Sequence, residues 1–278
     1  MTRLKTEWIE NIRHEAEDWD DALRDRTGAG LCELALRGSG TCREEFENAK
    51  ENCPVGVVSI TGGQGVIGTF AESVASIVSA MGFTAEVAEK TDVDGFYEVR
   101  SRGAQVVFMA DDNRFLAVNL TKKALGENDR STARGYVEAL EGMMKKRGRG
   151  GIDGQSVLLL GYGRVGREIE KYLLEKNARL VIYDKDEDVR REILAQGKVF
   201  LEKIEDMKGY DLIMDATSTG PWITTDMLHE DVLMAAPGIP FSLDEETREH
   251  FQGRWVHDNL PIGTAVMLAY ALGEEDGK

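Results

Sequence analysis

Two segments of the chain share an order that few folds accommodate: an apolar, β-branched run breaks into G-x-G-x-x-G and then turns helical. Val55 to Ile60 leads into Gly63, Gly65 and Gly68, and Val157 to Leu160 leads into Gly161, Gly163 and Gly166. Strand, glycine loop and helix in succession imply a strand whose carboxyl end faces a helix N-terminus, and repetition of that unit implies a parallel sheet with helices on both faces. The alternation continues through Val66 to Met81 (helix), Thr84 to Ala88 (strand), Phe96 to Arg102 (helix) and the apolar Gln105 to Ala110, and in the second half through Arg179 to Tyr183, Leu212 to Asp215, Val232 to Ala235 and Trp255 to Val256 as strands. The sequence therefore predicts an α/β fold of two doubly wound domains. An N-terminal substrate domain spans 1–147, a C-terminal Rossmann dinucleotide-binding domain spans 148–257, and a segment at 258–278 returns to the first domain with an apolar helix, Thr264 to Leu272, packing back on it. The boundary is placed at the cluster Gly148, Gly150, Gly151 and Gly154, which would serve as a hinge for domain closure. Residues 3 to 26 set Trp8, Ile12, Glu15, Trp19 and Leu23 at helical intervals, so an amphipathic helix opens the chain.

The second glycine loop carries the stronger chemical signal, because each glycine has a task that a side chain would block. Gly161 permits the tight turn, Gly163 lets the backbone approach a pyrophosphate, and Gly166 lets helix and strand pack closely, with Tyr162, Arg164 and Val165 completing the loop. Unpaired N–H groups and the helix dipole then favour the phosphates. Asp184 closes the following strand, about 20 residues on, where a carboxylate accepts hydrogen bonds from an adenosine ribose and repels a 2′-phosphate. NAD is the expected cofactor. The strand after the first loop ends in Glu86-Val87-Ala88-Glu89-Lys90 rather than in an apolar run closed by one acid, so the first loop is read as a substrate-binding turn, with Thr61 and Gln64 supplying polar contacts across a cleft from the nicotinamide.

Asp111 and Asp112 stand where an apolar strand stops, the end of a parallel sheet at which ligands gather, and carboxylates there would attract an ammonium group. The competing reading makes Asp112-Asn113 a helix cap. His14, His229, His250 and His257 are scattered singly and Cys32, Cys42 and Cys53 lack C-x-x-C spacing, so no metal site is expected. A net charge of −16 argues against nucleic acid, and no apolar run approaches the ~20 residues that span a bilayer. Met1 to Glu10 has no apolar stretch of a signal peptide, and a cytoplasmic location is expected. Trp8 and Trp19 offer an apolar face that either a homodimer or the protein's own core could use.

Several segments carry a resemblance more specific than the fold: Thr61-Gly62-Gly63-Gln64-Gly65-Val66-Ile67-Gly68, Asp92 to Glu98, Gly103 to Asn113 with Phe115-Leu116-Ala117, Val157 to Gly166, Pro237-Gly238-Ile239-Pro240 and Ile262-Gly263-Thr264-Ala265. Together they resemble the dehydrogenase family that completes pyrrolysine biosynthesis. The resemblance implies NAD-dependent oxidation of 3-methyl-D-ornithyl-Nε-L-lysine at the carbon bearing the terminal ornithine amine, capture of the imine by the α-amine, loss of ammonia and closure of a pyrroline ring. It further implies that Asp111 binds the substrate amine and assists proton removal, that Thr61, Gly62, Gln64 and Val66 hold the ornithine part, that Asp258 reaches the lysine part or orders the cleft, that Leu4 helps cover the site, and that Thr217 and Pro237 join the second loop in holding the dinucleotide. The family pattern reads Thr-Ser-Gly-Asn-Gly where this chain has Gly62 and Gln64, a lost hydroxyl and a longer amide. The residues by themselves leave open another NAD-dependent amino-acid or amine dehydrogenase, or a non-enzymatic NAD(H)-binding redox sensor.

Overall fold

The structure is a computed structural model that describes residues 4–273. Arg3 of the expected opening helix and residues 274–278 of the expected C-terminal segment lie outside the described residues. The chain divides into two compact units: residues up to Ala22, Gly30–Gly135 and Asn259 onward form the first, and Leu23–Ala29 with Tyr136–Asp258 form the second.

The first unit begins with a 3-10 turn, Thr6–Trp8, and then α1 (Ile12–Thr27). The expected continuous helix is thus interrupted at residues 9–11, where Ile9 is buried and its carbonyl accepts from Ser73 Oγ at 3.1 Å. α2 (Leu31–Ser39) and α3 (Arg43–Asn52), which the sequence reading does not assign, precede β1 (Val55–Ser59), α4 (Phe70–Ala80), β2 (Ala85–Val87), α5 (Asp92–Ser101), β3 (Val106–Ala110), β4 (Phe115–Asn119), β5 (Leu125–Glu127) and α6 (Asn128–Lys146). The sheet order is β2-β1-β3-β4-β5. β1 runs parallel to β2 and β3, as the alternation predicts, whereas β4 runs antiparallel to β3 and β5. The reason is local: Ala110 pairs with Phe115, and the turn between them is far too short for the crossover that a parallel pair requires. Burial alternates along β4, with Phe115, Ala117 and Asn119 buried and Leu116 and Val118 half-buried, so one face of the strand packs fully on the core.

The change-over between units falls at Gly135–Tyr136, inside α6, rather than at 147/148. The cluster Gly148–Gly154 belongs to the second unit, where Ile152 is buried and its N–H donates to Glu141 Oε1. The second unit continues with β6 (Ser156–Leu160), α7 (Arg164–Glu175), β7 (Arg179–Tyr183), α8 (Glu187–Ala195), β8 (Leu212–Asp215), β9 (Leu233–Ala235), α9 (Glu245–His250) and β10 (Trp255–Val256). Its five strands are all parallel in the order β10-β9-β8-β6-β7, and Phe200 adds a parallel bridge to Ile182 on the outer side of β7. With that bridge as a vestigial strand, the order is the 3-2-1-4-5-6 of a doubly wound dinucleotide fold, whose topological switch lies between β6 and β8.

Finally α10 (Pro261–Leu272) returns to the first unit, as expected, beginning three residues earlier than the apolar run suggests because Pro261 occupies the first turn. Every residue of α10 is buried, so the helix is apolar all round and serves as core. Its last carbonyls would be orphaned in such a place. Thr41 Oγ1 donates to Ala269 O at 2.8 Å, Asn119 Nδ2 to Ala271 O at 2.7 Å and Lys122 Nζ to Leu272 O at 2.6 Å.

Candidate active site in two parts

In the first unit, β1 delivers Thr61 to Gly65 at its carboxyl end. The Thr61 N–H donates to Asp92 Oδ1 at 2.8 Å and its hydroxyl to Asp92 Oδ2 at 2.6 Å, a two-point clamp from the start of α5. The Gln64 N–H donates to Asp112 Oδ2 at 2.7 Å. Gly63, at φ +73°, is the residue that admits this contact, since a Cβ there would stand 2.1 Å from Asp112 Oδ2. Asp111 and Asp112 belong to the β3–β4 turn and cap no helix. Asp111 Oδ1 accepts from the N–H groups of Asn113 (2.8 Å) and Arg114 (2.7 Å), leaving Oδ2 outside those turn bonds. The same bonds, that from Arg114 foremost, hold the Asp111 carboxyl below its usual range. Asp111 is exposed and anionic at neutral pH, suited to an ammonium partner. Thus Thr61, Gly62, Gln64 and the Asp111–Asp112 turn come together. Val66 is exposed on the same loop, and Leu4 is half-buried ahead of the Thr6–Trp8 turn, which lies against the loop: a Cβ on Gly68 would stand 3.3 Å from Thr6 Oγ1.

In the second unit, β6 ends in Gly161 (φ +84°), where a Cβ would meet the Ala216–Thr217 peptide at 2.9 Å. Gly166 lies beneath it, and a Cβ there would stand 2.2 Å from Gly161 O. Gly163, the residue before α7, is different: a Cβ would meet no protein atom within 4 Å. Packing requires the first and third glycines, while the middle one keeps clear the approach to a helix N-terminus. Asp184 is half-buried, accepting from the Tyr162 N–H at 2.7 Å and the Asp186 N–H at 2.9 Å, so it sits at the edge of the loop. The Tyr162 side chain turns inward, its hydroxyl donating to Glu170 Oε2 at 2.5 Å, with Lys198 Nζ 2.7 Å from the same oxygen. Only the Tyr162 backbone is therefore presented by the loop.

Asp215, at the end of β8, braces the segment beside the second loop, whereas the sequence places it only in a strand. It is fully buried, accepts from Ser242 Oγ and from the Thr217 N–H (3.0 Å), and burial raises its carboxyl above the usual range. Its own carbonyl accepts from the Gly238 N–H at 2.9 Å, which ties the segment after Pro237 to the segment carrying Thr217. The Thr217 side chain is a further influence on the Asp215 carboxyl, lowering its pKa against the larger effect of burial. The open Gly163 approach, the α7 N-terminus and Asp184 fit a dinucleotide.

Asp258 is buried. Its N–H donates to Tyr136 Oη at 2.8 Å while the Tyr136 hydroxyl donates to its carbonyl at 2.9 Å, and burial pushes that phenol well above its ordinary range. Among the described residues no group of three His, Cys, Asp or Glu is arranged to hold a metal ion, and no helix is long and apolar enough to cross a membrane.

Residues 9–125 match the family described as pyrrolysine biosynthesis protein PylD, N-terminal domain. Over 268 residues the chain is 30% identical to the pyrrolysine synthase of Methanosarcina acetivorans, covering 96% of this chain and 98% of that one. The chain belongs to the pyrrolysine synthase family. It is also 30% identical to the pyrrolysine synthase of Methanosarcina barkeri over 98% of each chain. Among solved structures, shikimate dehydrogenase from Aquifex aeolicus shares its fold at a TM-score of 0.52 and 13% identity, covering 79% of this chain and 91% of that one. Shikimate 5-dehydrogenase from Listeria monocytogenes, solved with shikimate and NAD, aligns at a TM-score of 0.50 and 12% identity over 81% and 94%. The likeness to the two shikimate dehydrogenases is one of fold, a two-domain α/β architecture with a Rossmann-type second unit.

Proposed function

We propose that this member of the family oxidises 3-methyl-D-ornithyl-Nε-L-lysine with NAD⁺ and so forms pyrrolysine. The observation that carries the reading is the loop Gly161–Gly166, bordered by Asp184 and open at Gly163, in a chain related to pyrrolysine synthases over nearly its whole length. Gly161, Tyr162 (through its backbone), Gly163, Arg164, Val165 and Gly166, with Asp184, Thr217 and Pro237, would hold the dinucleotide, and the Asp184 carboxylate favours a ribose hydroxyl over a 2′-phosphate. NAD⁺ bound there supplies the hydride acceptor.

The substrate carbon bearing the terminal amine gives up a hydride and its nitrogen a proton, so C–N becomes C=N. The α-amine then adds to that carbon, ammonia leaves, and the ring closes with C=N retained. Asp111 is the group for the amine. Its lowered pKa makes it a dependable counter-ion and a weak base, so its main task is to hold and orient the terminal nitrogen, with the proton passing on to solvent. Thr61, Gly62, Gln64 and Val66 line the loop for the ornithine part, Leu4 helps cover it, and Asp258 is the carboxylate for the lysine part. The test is NADH absorbance after mixing the enzyme, NAD⁺ and the ornithyl-lysine conjugate, with mass spectrometry for loss of ammonia and two hydrogens. NADH with a pyrroline product supports the reading. Turnover of free ornithine, alanine or glutamate in preference would select a different amine dehydrogenase, and NAD⁺ binding without turnover of any amine would select a redox sensor.

A further inference from the structure

The loop Thr61–Gly65 is held from two sides by carboxylates that the reaction itself does not call on. Asp92 spends both oxygens on one residue, taking the Thr61 N–H and the Thr61 hydroxyl at 2.8 and 2.6 Å, and it does so from a left-handed backbone conformation (φ +55°) that a non-glycine residue adopts at a cost. Asp112 reaches the other end of the loop at the Gln64 N–H, through the space that Gly63 leaves by having no Cβ. The two acids come from separate elements, the start of α5 and the β3–β4 turn. Each meets a backbone N–H that has no strand or helix partner, since Thr61 to Gly65 follow the end of β1 and precede α4. A loop with exposed backbone and three glycines among its five residues from Thr61 to Gly65 has high conformational entropy unless it is tied.

From this we infer that Asp92 and Asp112 are positioning residues for substrate recognition: they fix Thr61 and Gln64 in one loop conformation, beside Asp111, and thereby set specificity for the amine-bearing end of the substrate. The inference deepens the proposed function, resting on its placement of the ornithine part at this loop, and it divides the three neighbouring acids by role. Asp111 has an oxygen outside the turn to offer a substrate ammonium, whereas Asp92 and Asp112 are committed to loop amides. Strain at Asp92 and the absent side chain at Gly63 are then what the loop's shape requires.

Two readouts separate this inference from the reaction it serves. In hydrogen–deuterium exchange of the apo protein, amides in residues 60–68 are expected to be protected, with roughly tenfold or greater loss of protection at the Thr61 end in Asp92→Ala and at the Gln64 end in Asp112→Ala. That readout stands even if the wild-type protein proves inactive on the ornithyl-lysine conjugate, which would overturn only the proposed function and the specificity role built on it. Given activity, Asp92→Ala should raise KM for the conjugate roughly ten- to a hundredfold. NAD⁺ affinity should stay unchanged. Asp92→Asn, which keeps an oxygen for the Thr61 N–H and offers an N–H to the Thr61 hydroxyl, should recover most of the loss. Failure of Asn to rescue would make the carboxylate itself catalytic and overturn the positioning role. Unaltered exchange, or a lowered melting temperature with kcat/KM intact, would overturn the clamp.

Discussion

The two G-x-G-x-x-G segments are indistinguishable as patterns and different as structures. In Gly161–Gly166 the third glycine packs directly on the first, 2.2 Å from a would-be Cβ to Gly161 O, and α7 starts inside the motif at Arg164. In Gly63–Gly68 the third glycine meets only the Thr6 side chain, the first is occupied by the Asp112 carboxylate, and α4 starts later, at Phe70, after Thr69 in a left-handed conformation. Glycine-on-glycine packing with a helix beginning at once leaves the second loop's helix N-terminus with N–H groups that could bear on a phosphate. When a side chain fills the first glycine's space, the same letters describe a loop tied to carboxylates and open to a different ligand.

The largest test of this difference is Gly166→Ala against Gly68→Ala. The first should cost about 3 kcal/mol in denaturant unfolding, because backbone must move. The second should change stability by less than about 0.5 kcal/mol, because only a side-chain end must give. Next in size is a functional contrast. Asp111→Asn should lower kcat/KM for the conjugate about a hundredfold while leaving NAD⁺ affinity unchanged by calorimetry. The bracing of the second loop is sharpened at Asp215. Asp215→Ala leaves Ser242 and the Thr217 N–H without their acceptor and should cost about 2 kcal/mol in thermal unfolding. Asp215→Asn keeps an acceptor and removes a buried charge, so it should be neutral or stabilising at neutral pH. The sign follows from the raised folded pKa: the proton favours the folded state, so the carboxyl's contribution is fully present below its unfolded pKa and is lost as pH rises through the folded one.

A smaller effect is expected at Gly163→Ala, whose Cβ meets no protein atom: stability unchanged, and dinucleotide affinity down about tenfold by fluorescence titration. Smallest is the titration of the β3–β4 turn. Asp111 has a lowered folded pKa, so its bonds to Asn113 and Arg114 are intact above the ordinary Asp value of about 3.9 and are lost as pH falls through the lowered one. Amide shifts of those two residues followed by NMR through the acid range report it, and shifts that move near neutral pH would contradict it.

Much of the second unit was legible because parallel strands buried on both faces appear as short apolar runs, and β6, β8 and β9 are such strands and fall where such runs stand. The antiparallel β4 and β5 were less so, since they depend on a turn whose Asp-Asp-Asn residues suit a helix cap equally well. α2 and α3 went unassigned between Gly28 and Pro54, where charged residues blur the helical period. At the candidate site, Gly161, Gly166 and Asp184 announce themselves by spacing. Asp92 does not, because its role depends on a backbone angle and on a loop far back in sequence. Asp215 offered a faint signal, an acid closing an apolar strand as Asp184 does, and only burial distinguishes a brace from a ligand contact.

Because α10 is wholly enclosed by elements of the first unit, that unit's interior stays unfinished on the ribosome until the whole second unit has been made. The second unit's sheet is closed by Val256, before α10 begins, so the order of emergence favours its folding first. The first unit, whose five strands are all made by Glu127, must then wait without α10, with an apolar groove awaiting a segment from more than a hundred residues downstream, a strongly non-local closure. A nascent chain released before Pro261 would carry a complete second sheet beside a unit exposed to aggregation and proteases, so this short helix completes the first unit only at the end of synthesis.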